Sequence, residues 1–242
     1  MMKRASGVFP IPHRAGSYFI IMDNQRNRTS RASYHVRVGV PARFSEHEAE
    51  RLRAGFQDLK TLVDTSFIAP DFNLILKPCG EVNAMSHVQT GDITICTELL
   101  MQASRLRSKG QIIGIILHEL GHSLLNFWQN PSFMNEETAD AFATYMLMVS
   151  GDARLVEEFA QSFEKGNPWA EAQHIIEAGD RHPISVQRAR TIRQNASYKG
   201  AFISRWNQTV YPHLTNHALR SIIKHPGKYG DTSLAQRTLR GR

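Results

Sequence analysis

The sequence predicts an α+β fold in which a small sheet comes first and helices follow. Three observations carry this. Short apolar or alternating runs bounded by Gly, Pro, Asn or Asp, which read as strands, all lie before residue 97. From Thr97 onward apolar residues recur at helical spacing. The stretch Gln111–Trp128 is apolar on nearly every side, as a helix in the middle of a domain must be. Strands first and helices afterwards is the order of segregated α+β architecture rather than of βαβ repeats.

Residues 1–34 mix Pro, Gly, Ser and Arg and form a basic N-terminal extension, in which Tyr18–Met22 is one short apolar run. His35–Val40 alternates Val36, Val38 and Val40 with other residues, a strand signal, and Pro41 ends it. Ser45 and Glu48 make a capping box for a helix to about Phe67, with Leu52, Phe56, Leu59 and Val63 on one face. Phe72–Leu76 is an apolar strand closed by Pro78 and Gly80. Val82–Val88 and Ile93–Cys96 flank the turn residues Gln89–Asp92 and read as a hairpin. A helix from Thr97 to about Ser108 ends at Gly110, and the apolar helix 111–128 follows. After Pro131, helices are expected at Glu136–Ser150 (stopped by Gly151), Ala153–Lys165, Trp169–Ala178, Ser185–Gln194 and about Leu214–Lys224. The residues from Pro226 on, rich in Gly, Ser, Thr and Arg, are expected to be a flexible basic tail over 226–242. Residues 35–225 then make one domain, with a sheet half over about 35–128 and a helical half over about 129–225.

At 242 residues and 41% apolar content the chain can bury a substantial core. No apolar run approaches the ~20 residues of a membrane span, and no signal-peptide core is present. The expected location is cytoplasmic at synthesis, with export by a non-standard route left open. The net charge of +7 is unevenly spread: residues 1–44 carry +7, residues 45–180 carry −11 and residues 181–242 carry +11. The basic ends can neutralise the acidic middle, and no nucleic-acid motif is present, so nucleic acid is not the expected partner. Cys79 and Cys96 are too few for a disulfide scaffold and read as free thiols in a reducing compartment.

The chemistry is concentrated at His118-Glu119-Leu-Gly-His122. On a helix, residues i and i+4 share a face, so both imidazoles can reach one Zn²⁺ while Glu119 stands beside its open side as a general base. Two histidines and a glutamate inside an apolar helix need partners, because burying polar groups unpaired is costly; a metal supplies one. Gly121 in the same helix signals close approach of another element. A catalytic zinc needs a third protein ligand. Glu136 and Asp140 are again i and i+4, so if Glu136 reaches the metal, Asp140 can accept the remaining N–H of a ligand histidine. Glu137 is the runner-up ligand. His213 and His217 are also four apart but lack an acidic partner and read as surface residues. His87 lies on the hairpin and is a further cleft candidate.

The pattern His-Glu-x-x-His followed by Glu-x-x-x-Asp on the next helix resembles gluzincins, the zinc peptidases typified by thermolysin and by the CAAX prenyl protease and HtpX-type group. Asn83-Ala84 resembles the edge strand that gluzincins lay along the substrate backbone. Ile93-Thr-Ile-Cys-Thr-Glu-Leu-Leu and His182-Pro183 with Arg188 resemble further segments of the CAAX group. Cys79-Gly-Glu-Val-Asn-Ala84, Ile93–Cys96 and His118–His122 together resemble a family of bacterial metallopeptidases of unknown function. The resemblance spans about residues 35–195. It implies a zincin-like domain with a small mixed sheet, an antiparallel edge strand and a buried active-site helix.

What it implies for function is a zinc endopeptidase with one catalytic Zn²⁺ held by His118, His122 and Glu136, with Asp140 supporting them. Glu119 takes a proton from water and returns it to the leaving amine. His182 stabilises the oxyanion with Arg188 assisting or holding the segment, and Asn83, Ala84 and Met85 bind the peptide by strand addition. The alternative is a non-catalytic zinc-stapled domain whose basic termini bind an acidic partner. The resemblance also bears on the cysteines. A hairpin turning at 89–92 sets Cys96 opposite residue 85, whereas parallel pairing of 72–78 with 92–96 would bring Cys79 and Cys96 together.

Overall fold

The strand Ile93–Cys96 (β3) is fully buried at all four residues, which places it in the middle of a sheet covered on both faces. In the computed structural model, which describes residues 46–69, 71–80, 82–87, 89–106, 108–164, 185–229 and 231–242, Leu74–Lys77 (β1) pairs parallel to one edge of β3. Ala84–Ser86 (β2) pairs antiparallel to the other. The order β1-β3-β2 is the small mixed sheet with an antiparallel edge strand that was expected. The expected strand His35–Val40, the cap at Ser45 and the helix Trp169–Ala178 lie outside the described residues.

The hairpin loop is longer than the turn residues suggest. Ser86 pairs with Ile93 and Ala84 with Ile95, so Cys96 lies opposite Asn83, whose carbonyl accepts its N–H at 3.1 Å, and not opposite residue 85. A shift of two residues keeps every side chain on its face, which is why the apolar pattern alone does not distinguish the registers. The parallel pairing sets Lys77 opposite Cys96. Gly80, at φ +83°, turns the chain just beyond, where a side chain would be strained. Cys79 thereby reaches Cys96, with 5.4 Å between Cα atoms, and the two form a disulfide, the outcome that parallel pairing of the two strands implies and one of the two the sequence left open. The Glu98 carboxylate accepts the N–H groups of Cys79 and Gly80 at 3.1 and 2.9 Å, fastening the same turn.

Helix α1 (Glu46–Ser66) buries Val63 beside Phe67, and α2 (Thr97–Leu106) follows β3 directly. Helix α3 (Lys109–Phe127) is capped by Ser108, which accepts the Gln111 N–H, and has twelve buried residues. It packs mainly against α4 (Glu136–Ser150) and α5 (Ala153–Gln161). Both approach α3 at glycines. A Cβ on Gly114 would run into the Phe159 ring of α5, and one on Gly121 would sit 3.0 Å from the Phe142 ring of α4. The close neighbour signalled by Gly121 is therefore α4.

The C-terminal half continues with α6 (Ser185–Ser197), α7 (Lys199–Val210), a 3₁₀ turn at Tyr211–His213 and α8 (Asn216–Lys224). Helix α7 was not expected, because Gly200 and the β-branched Ile203, Thr209 and Val210 depress its helix propensity. Its buried residues Phe202, Trp206 and Val210 are spaced by four, and tertiary packing of that stripe decides the matter. Residues 226–242 are also not the flexible tail expected. They form α9 (Pro226–Tyr229) and α10 (Ser233–Arg240), with Ala235 fully buried against the neighbouring elements. Asp231 accepts the Ser233 N–H at the start of α10, and the Arg242 guanidinium binds the carbonyl of Leu214 and, at 3.1 Å, the side chain of Asn216. His213, expected on the surface, is half-buried and stacks on Trp128 with ring centroids 4.5 Å apart. His217 is exposed.

The glycine contacts predict opposite effects for one substitution. Gly114→Ala should destabilise the fold by about 1–3 kcal/mol through overpacking. Gly55→Ala, on α1 with nothing within 4 Å of the added atom, should stabilise it by up to about 1 kcal/mol. Thermal denaturation of both variants beside wild type measures the difference.

Candidate metal centre

The close helix packing at Gly114 and Gly121 sets His118 and His122 of α3 against the start of α4. The loop between them is fixed by Asn135, whose side chain accepts the Thr138 N–H at 2.9 Å and starts α4 at Glu136. Glu136 and, one turn on, Asp140 then face α3. Burial with a compensating partner is the rule here: no buried side-chain polar atom among the described residues lacks a hydrogen-bond partner.

The ring nitrogens can be assigned from their partners. His118 Nδ1 lies 2.8 Å from Asp140 Oδ1, and His122 Nδ1 lies 2.6 Å from the Phe133 carbonyl. Both partners are acceptors, so both Nδ1 atoms donate, leaving the Nε2 atoms of the neutral rings as acceptors. Those Nε2 atoms are 3.1 Å apart. Glu136 lies 3.1 Å from His118 Nε2 and 3.4 Å from His122 Nε2. Three acceptors meeting at this distance repel one another unless a positive charge lies among them. One proton satisfies part of this; a divalent cation satisfies all of it. Ligands about 2.0–2.1 Å from a tetrahedral ion are themselves about 3.3 Å apart, close to the separations found. The donor set fits a metal ion, and His118, His122 and Glu136 could hold one. Glu137 is not in that group.

The electrostatics follow the same contacts. Burial disfavours the charged His118 ring, but hydrogen bonds to Asp140 and Glu136 outweigh it and push the imidazole up to about 9. Burial likewise opposes charge on Glu136, yet the two histidines hold its carboxyl far below the usual range. Asp140 is held low against burial by Arg188 and His118. Glu119 shifts the other way: burial raises its pKa, opposed by the histidines and by a hydrogen bond from the Ser86 backbone.

Arg188, on α6, lines the cleft and engages Asp140. Its Nε and Nη2 grip both oxygens of Asp140 at 2.7 and 2.8 Å, and its guanidinium lies 4.2 Å from the centroid of the Phe163 ring. It neutralises the carboxylate that orients His118. His182 lies outside the described residues. Asn83, Ala84 and Met85 line a cleft of about 470 Å³ together with His118, Glu119, His122, Glu136 and Arg188. His87 is exposed, does not line that cleft, and hydrogen-bonds Thr94. The other close group of ligand-type side chains, Cys79, Cys96 and Glu98, has its sulfurs joined and its carboxylate engaged by backbone N–H groups.

Three supports escape sequence reasoning: the Phe133 carbonyl, the Arg188–Asp140 pair, and a hydroxyl chain in which Ser123 donates to the Gly91 carbonyl at 3.0 Å and therefore accepts from Ser86 at 2.7 Å. A backbone carbonyl has no residue-type signature. Arg188 was singled out, but its partner lies 48 residues away. Removing the orienting carboxylate with Asp140→Ala should weaken divalent-metal affinity about 10–100-fold, and Arg188→Lys, which loses the two-pronged grip, by a smaller factor. Competition against a chromophoric chelator measures both.

No curated protein and no solved structure matches the chain significantly. The model of the family described as "Putative metallopeptidase" matches residues 46–193, more than half of the chain and every residue of the cluster, and the chain belongs to that family.

Proposed function

We propose that the protein is a zinc-dependent endopeptidase of the gluzincin type, with His118, His122 and Glu136 as metal ligands and Glu119 as general base. The observation that carries this reading is the meeting of three acceptor groups, two imidazole Nε2 atoms and the Glu136 carboxylate, at 3.1–3.4 Å beside the half-buried Glu119, in a cleft with a strand along its edge. The His-Glu-x-x-His…Glu-x-x-x-Asp pattern and the family membership favour zinc and peptide hydrolysis. An ion held there supplies Lewis-acid polarisation of a carbonyl and acidifies water beside it.

The chain's own groups divide the remaining work. Glu119 is pushed toward its neutral form by burial and toward its charged form by the histidines and the Ser86 N–H, a balance suited to accepting a proton and returning it. The edge strand offers backbone groups to the cleft. His87 and Cys96 N–H bonds to the Asp92 and Asn83 carbonyls mark residues 83, 85 and 87 as the ones bonded to β3. Antiparallel alternation then turns the N–H and C=O of Ala84 and Ser86 away from the sheet. The Ala84 N–H is met at 2.8 Å by the Asn83 side chain, which an extended peptide would displace. Arg188 is assigned to holding Asp140 and through it His118. His182 remains the candidate for the oxyanion, on resemblance alone.

Glu119→Gln should retain one equivalent of zinc by elemental analysis and lose peptidase activity on a random decapeptide library by at least about 10²-fold. A zinc-loaded variant as active as wild type would overturn the general-base assignment. A wild type that holds zinc but cleaves nothing would make the ion a staple instead. Chelation should abolish cleavage and lower the melting temperature, and stoichiometric Zn²⁺ should restore both, because a ligand of the folded state stabilises it.

A further inference from the structure

The disulfide joins residues 17 apart, and the covalent ring it closes runs from Cys79 to Cys96. Inside the ring lie Val82, Asn83, Ala84, Met85 and Ser86, which are all the cleft residues that the sheet contributes. Outside it lie His118, His122, Glu136 and Glu119. The ring therefore encloses the edge of the cleft and none of the metal-holding group.

The two ends of that edge are held differently. At the Ser86 end, α3 grips it through the Ser86–Ser123–Gly91 hydroxyl chain. At the Asn83 end, β2 is only three residues long and its pairing rests on the Cys96 N–H bond to Asn83. Cys96 is also the residue that the disulfide ties back to the turn at Cys79 and Gly80. Closing the ring removes open conformations of this segment by limiting chain entropy. The Glu98 carboxylate continues to accept the Cys79 and Gly80 N–H groups when the sulfurs separate.

We propose that the Cys79–Cys96 disulfide positions the substrate-binding edge, so that the oxidised chain presents a paired strand to extended peptides and the reduced chain keeps its metal centre but loses the Asn83 end of that strand. This rests on the peptidase reading for the peptide and on the fold alone for the strand. The reductant is a dithiol: it gives two electrons and two protons to the S–S bond, leaving two cysteine thiols and its own disulfide. Cys79 is half-buried and Cys96 fully buried, so attack comes from the Cys79 side.

The test compares amide hydrogen exchange, zinc content and cleavage in the oxidised protein, the dithiol-reduced protein and Cys79→Ser. Reduction and the substitution should each speed exchange about 10-fold or more over residues 79–84 and at Cys96. Exchange over 86–92 and 118–124, and bound zinc, should stay unchanged. The KM for the best-cleaved library decapeptide should rise more than kcat falls, and reoxidation should reverse it in the reduced sample only. Unchanged exchange over 79–84 would overturn the proposal, as would equal loosening of 118–124 or loss of zinc. If the exchange pattern holds but the oxidised protein cleaves nothing, the peptidase reading fails and the positioning of the strand stands.

Discussion

Three acceptor atoms directed at one point inside a protein are an unstable arrangement by themselves, and most of the structure around α3 can be understood as what makes it tolerable. The two Nε2 atoms and the Glu136 carboxylate converge because Asp140 and Phe133 hold the opposite ring nitrogens. Those partners are in reach because α4 lies against α3 at Gly121, where a side chain would press on Phe142. Helix α5 closes over Gly114 in the same way. The glycines weaken α3 as an isolated helix by about 1 kcal/mol each. That cost is accepted where it brings a second helix within hydrogen-bond distance of the first.

Charge explains why the cluster extends beyond its metal-facing atoms. Glu119, Glu136 and Asp140 are three carboxyls in or beside one buried space, and Arg188 is the cation gripping Asp140. With all three ionised and the rings neutral, these four groups sum to two negative charges, which a divalent ion would balance. Arg188 thus serves the site through its grip on Asp140. Breaking a buried pair leaves a charge uncompensated, at a cost larger than the pair's own net contribution. The stacking of its guanidinium on Phe163 fixes it in one place.

The parts of this arrangement visible in the sequence are those set by local spacing. His118 with His122 and Glu136 with Asp140 each sit four apart, and a helix converts that interval into a shared face whatever the tertiary context. The central strand was visible for a related reason, since Ile93–Cys96 is too short and apolar to be anything but buried. What escaped depends on contacts between distant residues. The hairpin register slipped by two because a two-residue shift leaves the apolar pattern intact. The disulfide was left open by the sequence rather than missed, because it turns on the parallel pairing of β1 with β3, whose partners are 19 residues apart. Helix α7 and the four-residue α9 have weak intrinsic propensity and α10 is only eight residues long, so burial of residues such as Trp206 and Ala235 decides them. Arg188 was found through its neighbourhood, but its partner was not, because no spacing rule links residue 188 to residue 140.

Glu119 occupies the junction between two parts that are held independently. On one side are the helices and their acceptor cluster, cross-braced by Asp140 and Arg188. On the other is a three-residue strand with little intrinsic stability, braced by a disulfide at one end and two serines at the other. Ser86 and Glu119 both line the cleft, so the edge and the general-base candidate face the same space. A peptide aligned on the edge would lie beside that carboxylate. The separation has a physical consequence. The Asn83 end of the edge can loosen without dispersing the acceptor cluster, because the groups that hold the His118 and His122 rings and Asp140 come from α4, α6 and the α3–α4 loop, and the sheet meets α3 at its Ser86 end.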